Sequence, residues 1–423
     1  MGSLIAGNQW SILQLLALGF AIITLYFSEF RYLIFCTMLV FLVANSQYES
    51  ITVAFGTLRW IFLTTMAVVA ISHWILGRVP TRVRAVDLWV CAFLTLAFYS
   101  GTYSILPSLT LERSVATVIF YWAVFWGVWS YVQDEMKIPV IIHDLLKISF
   151  PVFFVGFTLI GGDRFFGIFG SPNSIGVFSA ILAPLAFWSY LCEKKKSALF
   201  LLLLMGISLF LSKSRAGITS TVIASAYFLA LYRRERLPII VLGLLFFLVC
   251  SFLYVEMFGS SLFQEYFRWE TLATGGGRLE AWKEVVRLIM MRPWLGYGFG
   301  TEDQLFLKFD IAFFEHAGAY VHNSYIGLIS QLGLIGACLF FIPLILFFLR
   351  RTYQVNRMPS GNTRWLALAL NASIFGGLVN AVFESWLYAV GNSFTFPFWI
   401  NVILAYRLVS LSRTEAVSGA QSE

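Results

Sequence analysis

Gly275-Gly276-Gly277-Arg278-Leu279-Glu280-Ala281-Trp282 opens a stretch that runs through Arg292-Pro293-Trp294-Leu295-Gly296-Tyr297-Gly298-Phe299-Gly300 and closes on Val321-His322-Asn323-Ser324-Tyr325, ahead of Gly333 and Gly336. It is the only long polar segment of the chain. The surrounding 423-residue sequence is 59% hydrophobic, 18% aromatic and 12% charged, far below the roughly 25% charged content of soluble domains. Apolar runs long enough to cross a bilayer, about twenty residues each, fill the remainder. They read as spans at 10–27, 32–44, 58–76, 88–105, 114–132, 138–160, 173–191, 197–211, 218–232, 238–254, 324–349, 365–383 and 394–408, the second and eighth being short.

The expected fold class is therefore all-α, a polytopic transmembrane bundle of 12–13 helices with one long outer loop carrying amphipathic helix. One domain is expected over 1–411, with the loop at 256–321, followed by a disordered tail at 412–423. No basic region followed by a small-residue cleavage site opens the sequence, so the first apolar segment reads as a retained span. Basic residues cluster at Arg78, Arg82 and Arg84, at Lys194 to Lys196, at Arg233, Arg234 and Arg236, and at Arg350, Arg351, Arg357 and Arg364. Such clusters are retained in the cytoplasm. They set 165–172, 212–217, 256–321 and 384–391 together on the opposite, outer face. Thirteen spans place the N-terminus outside and the tail inside; twelve place both inside.

The net charge of +7 belongs to these topological clusters and does not point to nucleic acid. Cys36, Cys91, Cys192, Cys250 and Cys338 are odd in number and scattered through apolar runs, with neither metal-ligand nor disulfide spacing. Within the long loop, 278–291 has an amphipathic pattern, with Leu279, Trp282, Val286 and Ile289 on one face. Pro293 ends it. The pattern suits a helix lying on the membrane, anchored by Trp282 and Trp294. Gly275 to Gly277 precede its unpaired N–H groups, which suit an anion as well as a hinge.

Three outer-face residues are candidates for chemistry: Arg215, Arg278 and His322. Arg215 and Lys213 stand in Ser212-Lys213-Ser214-Arg215-Ala216-Gly217, on the face that the charge rule depletes. A cation beside the bilayer is costly unless it has a partner or lines an aqueous site, although a snorkelling anchor is the plainer role. His322 opens the following helix, and imidazole is the side chain best suited to proton transfer near neutral pH. Arg164 adds a cation just before Gly170-Ser171-Pro172-Asn173. His316 is close by in sequence, whereas His73 and His143 fall on or near spans. Zinc-ligand spacing, a nucleotide-binding glycine fingerprint, a nucleophile elbow and paired catalytic carboxylates cannot be read off. An outward-facing enzyme without nucleotide needs an activated substrate, and a lipid diphosphate is one that arginines bind well.

Taken in order, Arg164 with Gly170-Ser171-Pro172-Asn173, Ser214-Arg215-Ala216-Gly217, Gly277-Arg278 with Trp282, Arg292-Pro293-Trp294-Leu295-Gly296-Tyr297-Gly298 and His322-Asn323-Ser324-Tyr325 resemble the O-antigen ligase and polysaccharide polymerase superfamily. The resemblance implies a bacterial inner-membrane glycosyltransferase with its active site on the periplasmic side. Its donor would be a glycan on undecaprenyl diphosphate and its acceptor a glycan or glycolipid. The transfer would need no metal or other cofactor, and other polysaccharide-assembly proteins are conceivable partners. By the same resemblance Arg215 and Arg278 would bind the diphosphate and His322 would act at the acceptor hydroxyl. Arg164, Lys213, Asn323, Glu384 and Trp282 complete the expected substrate-binding set.

Phe383-Glu384-Ser385-Trp386-Leu387 with Gly391-Asn392 is more similar to exopolysaccharide polymerases than to ligases, and Trp386 and Tyr388 could stack on sugar or belong to the interfacial aromatic belt. A lipid-linked glycan transporter is the competing class. Its expected mark is ionisable residues deep within spans, for which Asp144 and Lys147 are the candidates.

Overall fold

The computed structural model describes residues 30–78, 83–157, 164–232, 277–313 and 320–420, with side chains of the last stretch as far as 411. The expected spans at 10–27 and 238–254, Gly275, Gly276, His316 and the tail's side chains lie outside the described residues. All eleven other expected spans meet a helix. These are α1 (Phe30–Val43), α2 (Glu49–Ile75), α3 (Ala85–Ser100), α4 (Pro107–Tyr131), α5 (Lys137–Gly156), α6 (Pro172–Leu191), α7 (Lys196–Ser212) and α8 (Arg215–Tyr232). After α9 (Arg278–Met291), the chain continues with α10 (Ser324–Arg357), α11 (Asn362–Asn380) and α12 (Thr395–Ala420). Among the described residues the only β pairing is the isolated bridge Ser46–Phe169. Helix α12 passes Thr414, so its backbone is helical where the sequence suggests a disordered tail; no proline interrupts it there.

Among the described residues, five helices are long and apolar enough to cross a membrane: α2, α4, α5, α6 and α10. Helices α1, α3 and α7, and α12 over Thr395–Leu411, are apolar but shorter. The more polar α8 and α11 turn their amides and hydroxyls toward one another. Asn380 Nδ2 donates to Ser220 Oγ at 3.0 Å, and Asn371 Nδ2 donates to Tyr227 Oη at 3.2 Å and to Thr352 Oγ1 of α10 at 2.8 Å. Between helices in lipid, such bonds contribute where the hydrophobic effect supplies no drive.

Helix α6 is apolar on every side and accordingly buried among α7, α8 and α11. It crosses α8 at Gly176 and Gly217. A Cβ on Gly176 would lie 2.3 Å from the Gly217 Cα, so only glycine allows this approach. One turn earlier on each helix stand Asn173 and Ser214, which the crossing brings within hydrogen-bond range.

The Gly-rich loop and α10 form the second junction. Helix α10 breaks at Gly333, where φ is +64° and ψ is −170°. The chain at 293–298 fills the break. Tyr297 and Gly298 donate to the carbonyls of Ser330 and Gln331 at 3.0 and 2.8 Å, while Leu334 donates to Pro293 O at 2.8 Å. Gly300 N donates to Gln331 Oε1 at 2.6 Å. Broken helix is tolerated inside a bundle when its freed backbone groups find such partners. A Cβ on Gly333 would lie 2.2 Å from the Trp294 carbonyl. Gly333→Ala is therefore expected to cost roughly 2–4 kcal/mol through left-handed strain and overpacking. A lowered thermal midpoint and faster proteolysis within 293–300 are the readouts; an unchanged midpoint would contradict this junction.

The transporter candidate resolves differently. Arg31 of α1 grips both oxygens of Asp144 at 2.5 and 2.7 Å, with Lys147 Nζ at 3.9 Å. This closed ion pair joins α1 to α5.

Candidate active site

The N-termini of α6, α8, α9 and α10 converge with the α11–α12 connection at one end of the bundle, and each local sequence explains how. Ser171 caps α6, accepting from Asn173 N at 3.3 Å, with Pro172 at the first helical position, where a missing N–H costs nothing. Asn323 caps α10: its Oδ1 accepts from Tyr325 N and Ile326 N at 2.9 and 3.0 Å. Ser324 Oγ donates to the Glu384 carbonyl at 2.7 Å and accepts from Trp386 N at 3.1 Å. Asn323 N donates to Ser385 Oγ at 3.0 Å. The segment entering α10 is thus zipped to the segment leaving α11.

That zipper presents Glu384 to three partners. Its Oε1 accepts from Arg278 Nη2 at 2.6 Å and from Asn173 Nδ2 at 2.7 Å. Its Oε2 lies 3.1 Å from His322 Nδ1. Asn173 Oδ1 in turn accepts from Ser214 Oγ at 3.1 Å and from Arg164 Nη2 at 3.5 Å. Arg164 Nε donates to the Ser212 carbonyl at 3.1 Å. One carboxylate therefore ties together α6, α9 and the start of α10, and through Asn173 it reaches α8.

His322 has φ +54°, a left-handed conformation unusual outside glycine, asparagine and aspartate. Strain of this kind is of order 1–3 kcal/mol and persists where the surroundings over-determine it. Here Asn323, Ser324 and Glu384 do so.

His322 and Glu384 line a cavity of about 650 Å³, together with Asn173, Ser385, Trp386 and Tyr388. Arg278 and Arg164 join the site through Glu384 and Asn173. Arg215 opens α8 beside Ser214, and Lys213 turns the chain between α7 and α8 at φ +52°. Neither of these two is among the residues that line the cavity.

Two expected substrate-binding residues, Asn323 and Trp282, make structural bonds of their own. The Asn323 side-chain oxygen is committed to the α10 cap. Trp282 Nε1 donates to Val321 O at 2.9 Å, and its ring packs in a small core with Ala281, Val285 and Phe306. Helix α9 buries Ala281, Val285 and Leu288, whereas Leu279, Val286 and Trp294 are exposed. Trp282 and Trp294 therefore do not act as a matched pair of anchors, because the inward face is rotated from the one expected.

Arg59, Glu112, Arg113 and Glu302 also line the cavity and were not singled out by sequence. An arginine within or beside an apolar run was the available signal for Arg59 and Arg113. Arg113 binds both oxygens of Asp303 at 2.9 and 2.7 Å. Glu302 carries no such mark. It is 4% exposed, accepts from Tyr388 Oη at 2.6 Å, from Gln331 Nε2 at 3.3 Å and from Val321 N at 3.1 Å, and meets the Ser385 hydroxyl.

Burial pushes the Glu302 carboxyl above its ordinary range, against the opposing pull of these donors and of His322. Burial and the Glu302 carboxylate likewise push the Tyr388 phenol upward. A carboxyl raised on folding favours the protonated folded chain. Its contribution is complete below the unfolded value of roughly 4.3 and declines as pH rises through the folded value. Glu302→Gln is expected to flatten the decline in thermal midpoint over that window. An equally steep decline in the variant would assign the dependence elsewhere.

Among curated proteins no match to the chain is found. Residues 200–341, from within α7 to the middle of α10, match the family described as O-antigen ligase. That segment contains Ser214, Arg215, Arg278, Glu302, His322 and the Gly333 break. The chain is a multi-pass membrane protein that, over residues 200–341, is similar to the O-antigen ligase family.

Proposed function

We propose that the chain is a glycosyltransferase that moves a glycan from undecaprenyl diphosphate to a hydroxyl of a second glycan, at the periplasmic face of the bacterial inner membrane. The observation that carries this reading is the single carboxylate, Glu384, that holds Arg278 and His322 at the edge of one cavity. Reaction requires an acceptor oxygen to bond the anomeric carbon while the bond from that carbon to the phosphate oxygen breaks. The electron pair leaves with the lipid diphosphate. The acceptor proton goes to His322 Nε2, which is basic when Nδ1–H donates to Glu384. Arg278, with Arg215 on the neighbouring helix start, supplies positive charge for the departing diphosphate, an effect worth about 10²–10³-fold per donor. Direct displacement inverts the anomeric centre, and none of these steps calls on a metal.

The chain acts as a repeat-unit polymerase in exopolysaccharide or O-antigen synthesis, the class that the α11–α12 connection resembles. The family description favours a second reading, ligation of finished polysaccharide to a lipid acceptor. Deleting the gene and sizing the glycans left on undecaprenyl diphosphate separates the two. Single repeat units cleared by the wild-type gene support the polymerase. Long finished chains support the ligase, and an unchanged pool rejects both.

A further inference from the structure

The α11–α12 connection lines the cavity along its length, and its two ends meet different cations. Glu384, at one end, holds Arg278. At the other end Gly391 offers its carbonyl to Arg59 Nη1, with Arg59 reaching across from α2. The Arg59 guanidinium lies 5.5 Å from the Trp60 ring centroid, and both side chains line the cavity. Its Nε is buried without a hydrogen-bond partner. Among the described residues no carboxylate pairs with Arg59. Glu112 lines the same cavity but forms no ion pair with it, and the nearby Arg113 is already neutralised by Asp303. A cation held inside a membrane bundle is costly without an opposite charge. The buried, unsatisfied Nε–H adds to that cost.

We propose that Arg59 and Trp60 form a subsite for an acidic sugar of the acceptor glycan, with the sugar carboxylate on the guanidinium and the ring against the indole. The proposal rests on the transfer reading above and adds the acceptor's chemical class to it. Arginine suits a carboxylate because its planar fork can donate two parallel bonds, and an aromatic face beside it gives the ring apolar contact. The diphosphate is bound at the Arg278 end of the connection, so the two substrates occupy opposite ends of one cavity. The His322–Glu384 pair lies at the donor end, where the acceptor chain must reach it.

The test uses the full-length chain in lipid nanodiscs as wild type and Arg59→Gln. Glutamine removes the charge and, being shorter, also loosens the Gly391 contact, so the glucose acceptor is the control that separates a lost ligand contact from a structural one. Transfer is measured from one lipid-linked donor to two matched acceptor oligosaccharides, one ending in glucuronate and one in glucose. Arg59→Gln is expected to raise KM for the glucuronate acceptor by about tenfold or more, the equivalent of one lost charged hydrogen bond. KM for the glucose acceptor and for the donor should not move. Equal changes for both acceptors, an unchanged glucuronate KM, or a raised donor KM, which would make phosphate the ligand, would overturn the subsite.

A second readout needs no turnover. Glucuronate should raise the thermal midpoint of the wild type and not of Arg59→Gln, while inorganic pyrophosphate shifts both alike. If wild type transfers nothing yet shows this difference, the subsite stands and the transfer reading falls. If glucuronate affects the two proteins equally, or neither, the subsite falls.

Discussion

Replacing His322 with alanine is expected to reduce glycan transfer by about 10²–10⁴-fold, the usual contribution of a positioned general base. The chain should still fold, because the helix cap at Asn323 and the Ser324 clamp on the Glu384 backbone do not involve the imidazole. Alanine in the left-handed conformation at φ +54° carries a backbone cost of roughly 1–2 kcal/mol, as histidine already does. His322→Asn separates that cost from the chemistry. Asparagine accepts the left-handed backbone and can donate an N–H toward Glu384, yet cannot take a proton. It should be folded and as inactive as the alanine variant. Activity restored by asparagine would show that the backbone, not the imidazole, matters at this position.

The second large effect is expected at Glu384. Its carboxylate holds Arg278 at 2.6 Å and His322 at 3.1 Å, so Glu384→Ala releases the proposed phosphate-binding cation and the proposed base together. A loss of roughly 10³–10⁴-fold is expected by analogy with the carboxylate that orients histidine in a hydrolytic triad. Groups that act as one unit are strongly non-additive. Combining His322→Ala with Glu384→Ala should therefore cost little more than the worse single change. Glu384→Gln keeps an acceptor for Arg278 and Asn173 but removes the charge, and it should fall between wild type and alanine. Fully additive losses in the double variant would mean that the two side chains serve separate steps.

Much of the bundle was legible in the sequence because an apolar run of bilayer length has one stable outcome in lipid. Each expected span among the described residues is a helix. The site's polar motifs were legible as positions, and Arg164, Arg278, His322 and Glu384 do come together through hydrogen bonds. What they do to one another was not legible, because pairings such as Asn173 with Glu384 join residues far apart in sequence. For the same reason the match between Pro293–Gly298 and the break at Gly333 was invisible, although both motifs were noticed separately. Asn323, expected by resemblance in the substrate-binding set, also has a local task that its place just before a long helix made legible, as the cap of α10. Glu302 was missed because a carboxylate in a polar loop gives no sign that it will be enclosed. Arg59 had a signal, a cation within an apolar run, that its place near a span's edge made easy to read as an anchor.

The most direct measurement is transfer by the purified chain from a synthetic undecaprenyl-diphosphate oligosaccharide, with the anomeric configuration of the new linkage determined. The expected product is an extended glycan with inverted configuration, released undecaprenyl diphosphate in equal amount, and neither product from His322→Ala. Retained configuration, or full activity in His322→Ala, would contradict direct displacement assisted by His322.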